Sequence, residues 1–183
     1  MTERFKKFIQ TVLFNENGST ACGYVNDPMD SGGETVSGIT RKNHPNLKIW
    51  EKLDTRTSER GKKVYRPSTE EWDEIHQIYY TNYYKKVNAD SFNDEELALQ
   101  VFDMAVNSGV YNASRMLQRV LGVPTDGMIG QRTLTTANMR KDTLQHFKDE
   151  RKRYYNELAR KKSNQKFLKG WLKRIENCQI ENK

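Results

Sequence analysis

Four side chains near the start of the chain are of the types that cleave glycosidic bonds. Glu16, Asp27 and Asp30 are carboxylates, and Thr35 is a hydroxyl a few residues further on. Cleavage of this kind needs one carboxyl group to protonate the leaving oxygen and a second to place a water or steady the developing cation. Phe5, Phe8, Ile9, Val12 and Leu13 follow the three- and four-residue spacing of a helix with one apolar face, and the same spacing continued reaches Glu16. A carboxylate is therefore expected on the buried stripe, at the last turn, before Asn17-Gly18 ends the helix. Desolvation favours the protonated form of a carboxyl group, and a protonated carboxyl near neutral pH is what a general acid requires. A Glu at a helix end that simply turns to water is the plainer alternative.

The loop that follows runs from Gly23 to Thr35 and is rich in turn formers and short polar side chains. Gly32-Gly33 lets its backbone take positive φ or approach a ligand closely. Asp27, Asp30 and Thr35 are suited to orienting a water or a sugar hydroxyl. Helix end, acid, then polar Gly-rich loop is a lining suited to a polysaccharide cleft.

Val12-Leu13 with Glu16, the run Gly23-Tyr24-Val25-Asn26-Asp27-Pro28, Asp30 with Gly32-Gly33 and Thr35, and then Gly38-Ile39-Thr40 resemble the glycoside hydrolase family 108 muramidases. That family includes phage endolysins and proteins labelled secretion activators. Its acid stands in a Glu-Gly-Gly-Tyr-Val-Asn motif at the end of the first helix. Here Asn17 to Cys22 is inserted where the family has a single Gly. The apolar helix aligns Glu16 with the acid, whereas an alignment without a gap back from Tyr24 puts Ala21 there and leaves a protein without it. The resemblance implies hydrolysis of the β-1,4 bond between N-acetylmuramic acid and N-acetylglucosamine. It implies Glu16, Asp30 and Thr35 as catalytic residues, with Asp27 a rival to Asp30. Tyr24, Asn26, Asp27 and Thr40 are expected to contact substrate. The alternative is a non-catalytic peptidoglycan-binding or secretion-accessory protein.

The elements that must position these residues read as helices. Pro67 to Glu71 is a helix start, with Ser68 as N-cap and Glu71 closing a capping box. Trp72, Ile75, Tyr79 and Tyr83 keep one face of that helix apolar, and Tyr83 is also a candidate for stacking on a sugar ring. Asn93 is expected to cap the next helix, with Glu96 three residues on. Leu97, Val101 and Ala105, flanked by Ala98, Phe102 and Met104, mark that helix as central and buried up to Asn107-Ser108-Gly109. Asp103 within it either anchors the fold or faces a cleft. Ala113, Met116, Leu117, Val120 and Leu121 form an amphipathic helix. The turn Asp126-Gly127 follows, in a segment that looks like the repeat of peptidoglycan-binding domains. Leu144, Phe147, Arg151, Tyr154 and Leu158 trace a long helix, and Phe167 to Ile175 a last one carrying the family's closing Gly-Trp pair. Strand signals are confined to Cys22–Val25 and the region of Val64-Tyr65, enough for a small β-hairpin. The expected fold is mainly α: a lysozyme-like helical domain with a C-terminal helical extension. Residues 1–92 form the hydrolase region and 93–183 the peptidoglycan-binding region, packed as one compact unit.

Composition bounds the rest. The formal charge of +7 suits an anionic partner. The chain lacks a basic recognition helix with interleaved aromatics, so peptidoglycan glycan strands are expected as partner rather than nucleic acid. His44, His76 and His146 are scattered, without a Cys/His cluster, so no metal and no cofactor are expected. Cys22 and Cys178 imply no disulfide framework. No apolar run approaches membrane length. Met1 to Lys7 is charged and leads straight into the helix, so the expectation is a monomer made in the cytoplasm without a signal peptide and acting on the cell wall or periplasm.

Overall fold

The computed structural model describes residues 1–17, 22–26, 33–55, 64–65 and 68–180. Its contacts divide the chain into two compact units, Met1–Val12 with Tyr79–Lys183, and Leu13–Ile78. The chain passes from one to the other within its first helix and returns at the end of its third. The sequence boundary at 92/93 therefore falls inside the first unit.

That unit is helical. The opening helix α1, Glu3–Asn17, starts where the Thr2 hydroxyl accepts the Phe5 N–H at 3.2 Å, an N-cap bond. Phe5, Phe8, Ile9 and Val12 are buried, as the spacing predicts. α4, Glu95–Ser108, is the central element, buried from Leu97 to Ala105 and packed against α5, Val110–Leu121, and α7, Thr143–Leu158. α6, Gln131–Met139, lies against α5, and α8, Gln165–Asn177, against α7. Trp171 stacks on Tyr155 at 5.3 Å, so the Gly-Trp pair does face α7. Cys178 is buried with a free thiol.

The smaller unit holds the sheet. Strands β1, Cys22–Val25, β2, Thr35–Val36, β3, Ile39–Thr40, and β4, Val64–Tyr65, lie in the order β3-β2-β1-β4, every pair antiparallel. The expected pairing of the Cys22–Val25 stretch with Val64-Tyr65 is present, Cys22 opposite Tyr65 and Gly23 opposite Val64. The β2–β3 hairpin is an addition. α2, Lys48–Thr55, buries Ile49, Trp50 and Leu53, and α3, Thr69–Tyr79, buries Ile75. One half of the expected capping box at the start of α3 is present: the Ser68 N–H donates to Glu71 Oε2 at 2.6 Å. Lys52 pairs with the other oxygen of this buried carboxylate at 2.8 Å.

Two expectations need correction. α4 is capped by Asp94, whose carboxylate accepts the Leu97 N–H at 3.0 Å; Asn93 instead donates its backbone N–H to Asn138 Oδ1. And α3 runs into a π-helical turn, Tyr80–Tyr84, closed by a Lys85 N–H to Tyr80 O bond of 2.9 Å. The wider turn adds one residue to the repeat. The apolar face therefore continues from Tyr79 to Tyr84, five residues on, and Tyr83 is left only partly buried.

Candidate active site and wall-binding region

Glu16 sits on the last turn of α1, partly buried, just beyond the buried Leu13. It belongs to the same compact unit as the sheet, whose first strand begins six residues later.

The β2–β3 hairpin turns through Ser37 (φ 46°) and Gly38 (φ 75°). Positive φ at both central residues is the type I′ geometry that matches strand twist in a two-residue hairpin. Ser37 is buried, and its N–H donates to Gly23 O at 2.7 Å, tying the turn to β1. This register makes Thr35 and Thr40 direct cross-strand partners. Directly opposed residues bring their side chains together on one face. The Thr35 hydroxyl donates to Gly33 O at 3.1 Å, where Gly33 takes φ 66° as its loop requires. Thr40 Oγ1 is buried and has no hydrogen-bond partner among the described residues.

One step outward in the same hairpin stand Glu34 and Arg41, which the sequence reading did not single out. The Arg41 N–H donates to Glu34 O at 2.8 Å. The Glu34 carboxylate accepts the Tyr24 hydroxyl at 2.7 Å through one oxygen and Arg41 Nη1 at 2.9 Å through the other. Arg41 also grips both oxygens of Asp54, at 2.7 and 2.6 Å, and its guanidinium lies 5.6 Å from the Trp50 ring centre. The bonds to Asp54, and next to Glu34, push the guanidinium above its usual range, so it is cationic throughout. A signal for this network was available: a Ser-Gly turn flanked by Thr35-Val36 and Ile39-Thr40 sets acid 34 opposite base 41.

The structure thus puts Tyr24, Thr35 and Thr40 on one small sheet, with Thr35 and Thr40 on one face and Tyr24, paired with Val36, on the other. Asn26 follows β1 and is exposed. Asp27 and Asp30 lie outside the described residues. Tyr83 belongs to the other unit, its ring 5.8 Å from that of Tyr79. Among the described residues, no group of three His, Cys, Asp or Glu side chains is placed to hold a metal. No helix there is long and apolar enough to cross a membrane.

Residues 9–109, more than half of the chain, match the family described as Glycosyl hydrolase 108. The chain belongs to that family. Residues 112–176 match a second family, described as Predicted Peptidoglycan domain. The solved structure of Brucella abortus SagA is similar, with 28% identity and a TM-score of 0.67 over 95% of this chain and 90% of that one. No curated protein matches. As a member of the glycosyl hydrolase 108 family with a peptidoglycan domain, the chain is a peptidoglycan-related glycoside hydrolase of lysozyme-like, mainly α fold.

The peptidoglycan region of this family member is organised around one buried amide. Gln118, on α5, accepts the Gly127 N–H at 2.9 Å and donates to Asp126 Oδ1 at 2.7 Å and Met128 O at 2.9 Å. Asp126 Oδ1 also accepts the Met128 N–H at 2.8 Å, closing the Asp-Gly turn. Gly127 takes φ 82°, and a Cβ there would fall 2.3 Å from the Tyr111 ring, so the position admits only glycine without rearrangement. The turn leaves Tyr111 and Met128 exposed on the surface.

Proposed function

We propose that this chain is an N-acetylmuramidase, cleaving the β-1,4 bond between N-acetylmuramic acid and N-acetylglucosamine in peptidoglycan of the cell wall. Glu16 protonates the leaving glycosidic oxygen. Asp30 serves as the second carboxylate, placing the water or stabilising the oxocarbenium-like transition state, and Thr35 assists it. Tyr24, Asn26, Asp27 and Thr40 contact the glycan.

The observation that carries this reading is the position of Glu16. It follows the buried Leu13 on the last turn of α1, in the unit whose sheet pairs Thr35 with Thr40. Separation of the two carboxyl groups decides the stereochemistry: about 5–5.5 Å gives retention and about 6.5–9.5 Å inversion.

The experiment is clearing of purified cell walls, with release of reducing ends, by the wild type and Glu16→Gln. Clearing by the wild type with loss in Glu16→Gln supports the assignment. Equal clearing by both removes Glu16 from the mechanism. Binding without clearing by either protein gives the accessory role, as expected if Ala21, rather than Glu16, occupies the acid's place in the family motif.

A further inference from the structure

The β2–β3 hairpin has two faces. Side chains alternate along a strand, so Glu34 and Arg41 fall on the face of the buried Val36 and Ile39, and Thr35 and Thr40 on the other. The first face is fastened down. Arg41 holds Asp54 of α2 through both nitrogens and Glu34 through one, while its flat guanidinium lies over Trp50 of the same helix. Trp50 is in turn held by its indole N–H, which donates to His44 O at 2.6 Å. Tyr24, on β1, joins the clamp by donating to Glu34. Arg41 and Glu34 together therefore connect β1, the hairpin and α2. On the face opposite the clamp, each strand is only two residues long, too short to fix itself by ladder hydrogen bonds alone.

We propose that Arg41 is a positioning residue for hydrolysis: its bonds to Asp54 and Glu34 clamp the β2–β3 hairpin to α2 and thereby fix the Thr35 and Thr40 hydroxyls. The inference rests on the reading above that these hydroxyls serve the reaction. Lysine is not an equivalent, because an ammonium group cannot make the two parallel bonds to Asp54 while also holding Glu34 in the same fixed geometry. Arg41 touches neither acid nor substrate in this scheme; it acts through the geometry of its neighbours.

The test uses the full chain with Arg41→Ala and the milder Arg41→Lys. Two quantities are read: hydrolysis of purified walls, and amide hydrogen exchange at Ser37 and residue 41. A displaced reacting group lowers turnover far more than binding, and a shift of about 1 Å costs up to roughly 100-fold. Arg41→Lys is expected to keep the fold, to lower kcat by roughly 10-fold or more with KM little changed, and to speed exchange at those two amides but not at Phe147. Should Arg41→Ala fail to fold, Arg41→Lys carries the comparison alone. Wild-type exchange at Ser37 and residue 41, or wild-type kcat in a folded variant, overturns the proposal. A wild type that clears no walls refutes the hydrolase reading instead, and faster exchange in Arg41→Lys then still establishes the clamp.

Discussion

Asp103 and Arg151 form an ion pair with no solvent on either side chain: Arg151 Nη2 donates to Asp103 Oδ2 at 2.6 Å, and both are 0% exposed. Arg174 donates its Nε to both oxygens of the same carboxylate, at 3.1 and 2.9 Å. Arg151 further donates to the Gln100 backbone and side-chain oxygens, and Gln100 Nε2 donates to Ile175 O and Cys178 O. This cluster joins α4 to α7 and α8, so Asp103 is a structural anchor. Burial alone raises an aspartate pKa, but here the Arg174 and Arg151 charges outweigh it and the Asp103 carboxyl is held below its usual value. A group whose folded pKa is depressed contributes stability above its unfolded pKa, about 3.9, and loses it as pH falls through the folded value. We expect Asp103→Ala to cost about 3–5 kcal/mol at pH 7, because it leaves buried guanidinium groups uncompensated. Urea unfolding of both proteins at pH 7 and pH 3 checks this; the gap between them should narrow at pH 3.

Asp94→Ala should destabilise by about 1 kcal/mol, the usual cost of losing an N-cap. Asn93→Ala should stay within about 0.5 kcal/mol, since the Asn93 bond to Asn138 uses only its backbone N–H, which alanine keeps. Thermal melts of the two variants side by side decide it. Equal losses would mean the cap is not where the Leu97 bond puts it.

Why this cap was misplaced by one residue is visible in the sequence, because Asn93 and Asp94 are both good caps and Glu96 supports the first. The apolar stripe of α1, the buried run of α4 and the Ser68–Glu71 box were legible because they depend on neighbours three and four residues away. The pairing of Cys22–Val25 with Val64-Tyr65 was legible from composition. The π-helical turn was not: a tyrosine-rich stretch supports either Tyr83 or Tyr84 as the inward residue, and packing against Phe5 and Phe102 decides for Tyr84. The Glu34–Arg41 pair was hidden for a different reason. It becomes a neighbour relation only once Ser37-Gly38 is recognised as a type I′ turn. Glu16, Thr35 and Thr40 were picked out by residue type and motif, whereas the clamp beneath the threonines is a tertiary feature.

Gln118 predicts a separable defect. Gln118→Leu keeps the volume but deprives the buried Gly127 N–H of its partner, while the Met128 carbonyl keeps its bond from the Gly130 N–H. Each buried group left unsatisfied costs about 1–3 kcal/mol. We expect a lower urea midpoint and weaker pelleting with purified walls if the Asp126-Gly127 turn takes part in binding. Wild-type pelleting in a destabilised Gln118→Leu protein would place wall contact elsewhere on the surface.

Thr40 gives the opposite pattern of effects. Its hydroxyl is buried without a partner among the described residues, so it contributes a desolvation cost to the fold and no hydrogen bond seen there. Valine has nearly the same shape and lacks that cost. Thr40→Val is therefore expected to be as stable as the wild type or more stable by about 1 kcal/mol. If the hydroxyl meets a sugar oxygen, the same substitution should lower wall hydrolysis by roughly 10-fold, the equivalent of about 1.4 kcal/mol. A stability gain with lost activity marks a group kept for function rather than for folding. Lost stability with unchanged activity would instead mean that Thr40 is bonded within the protein and has no part in contacting the glycan.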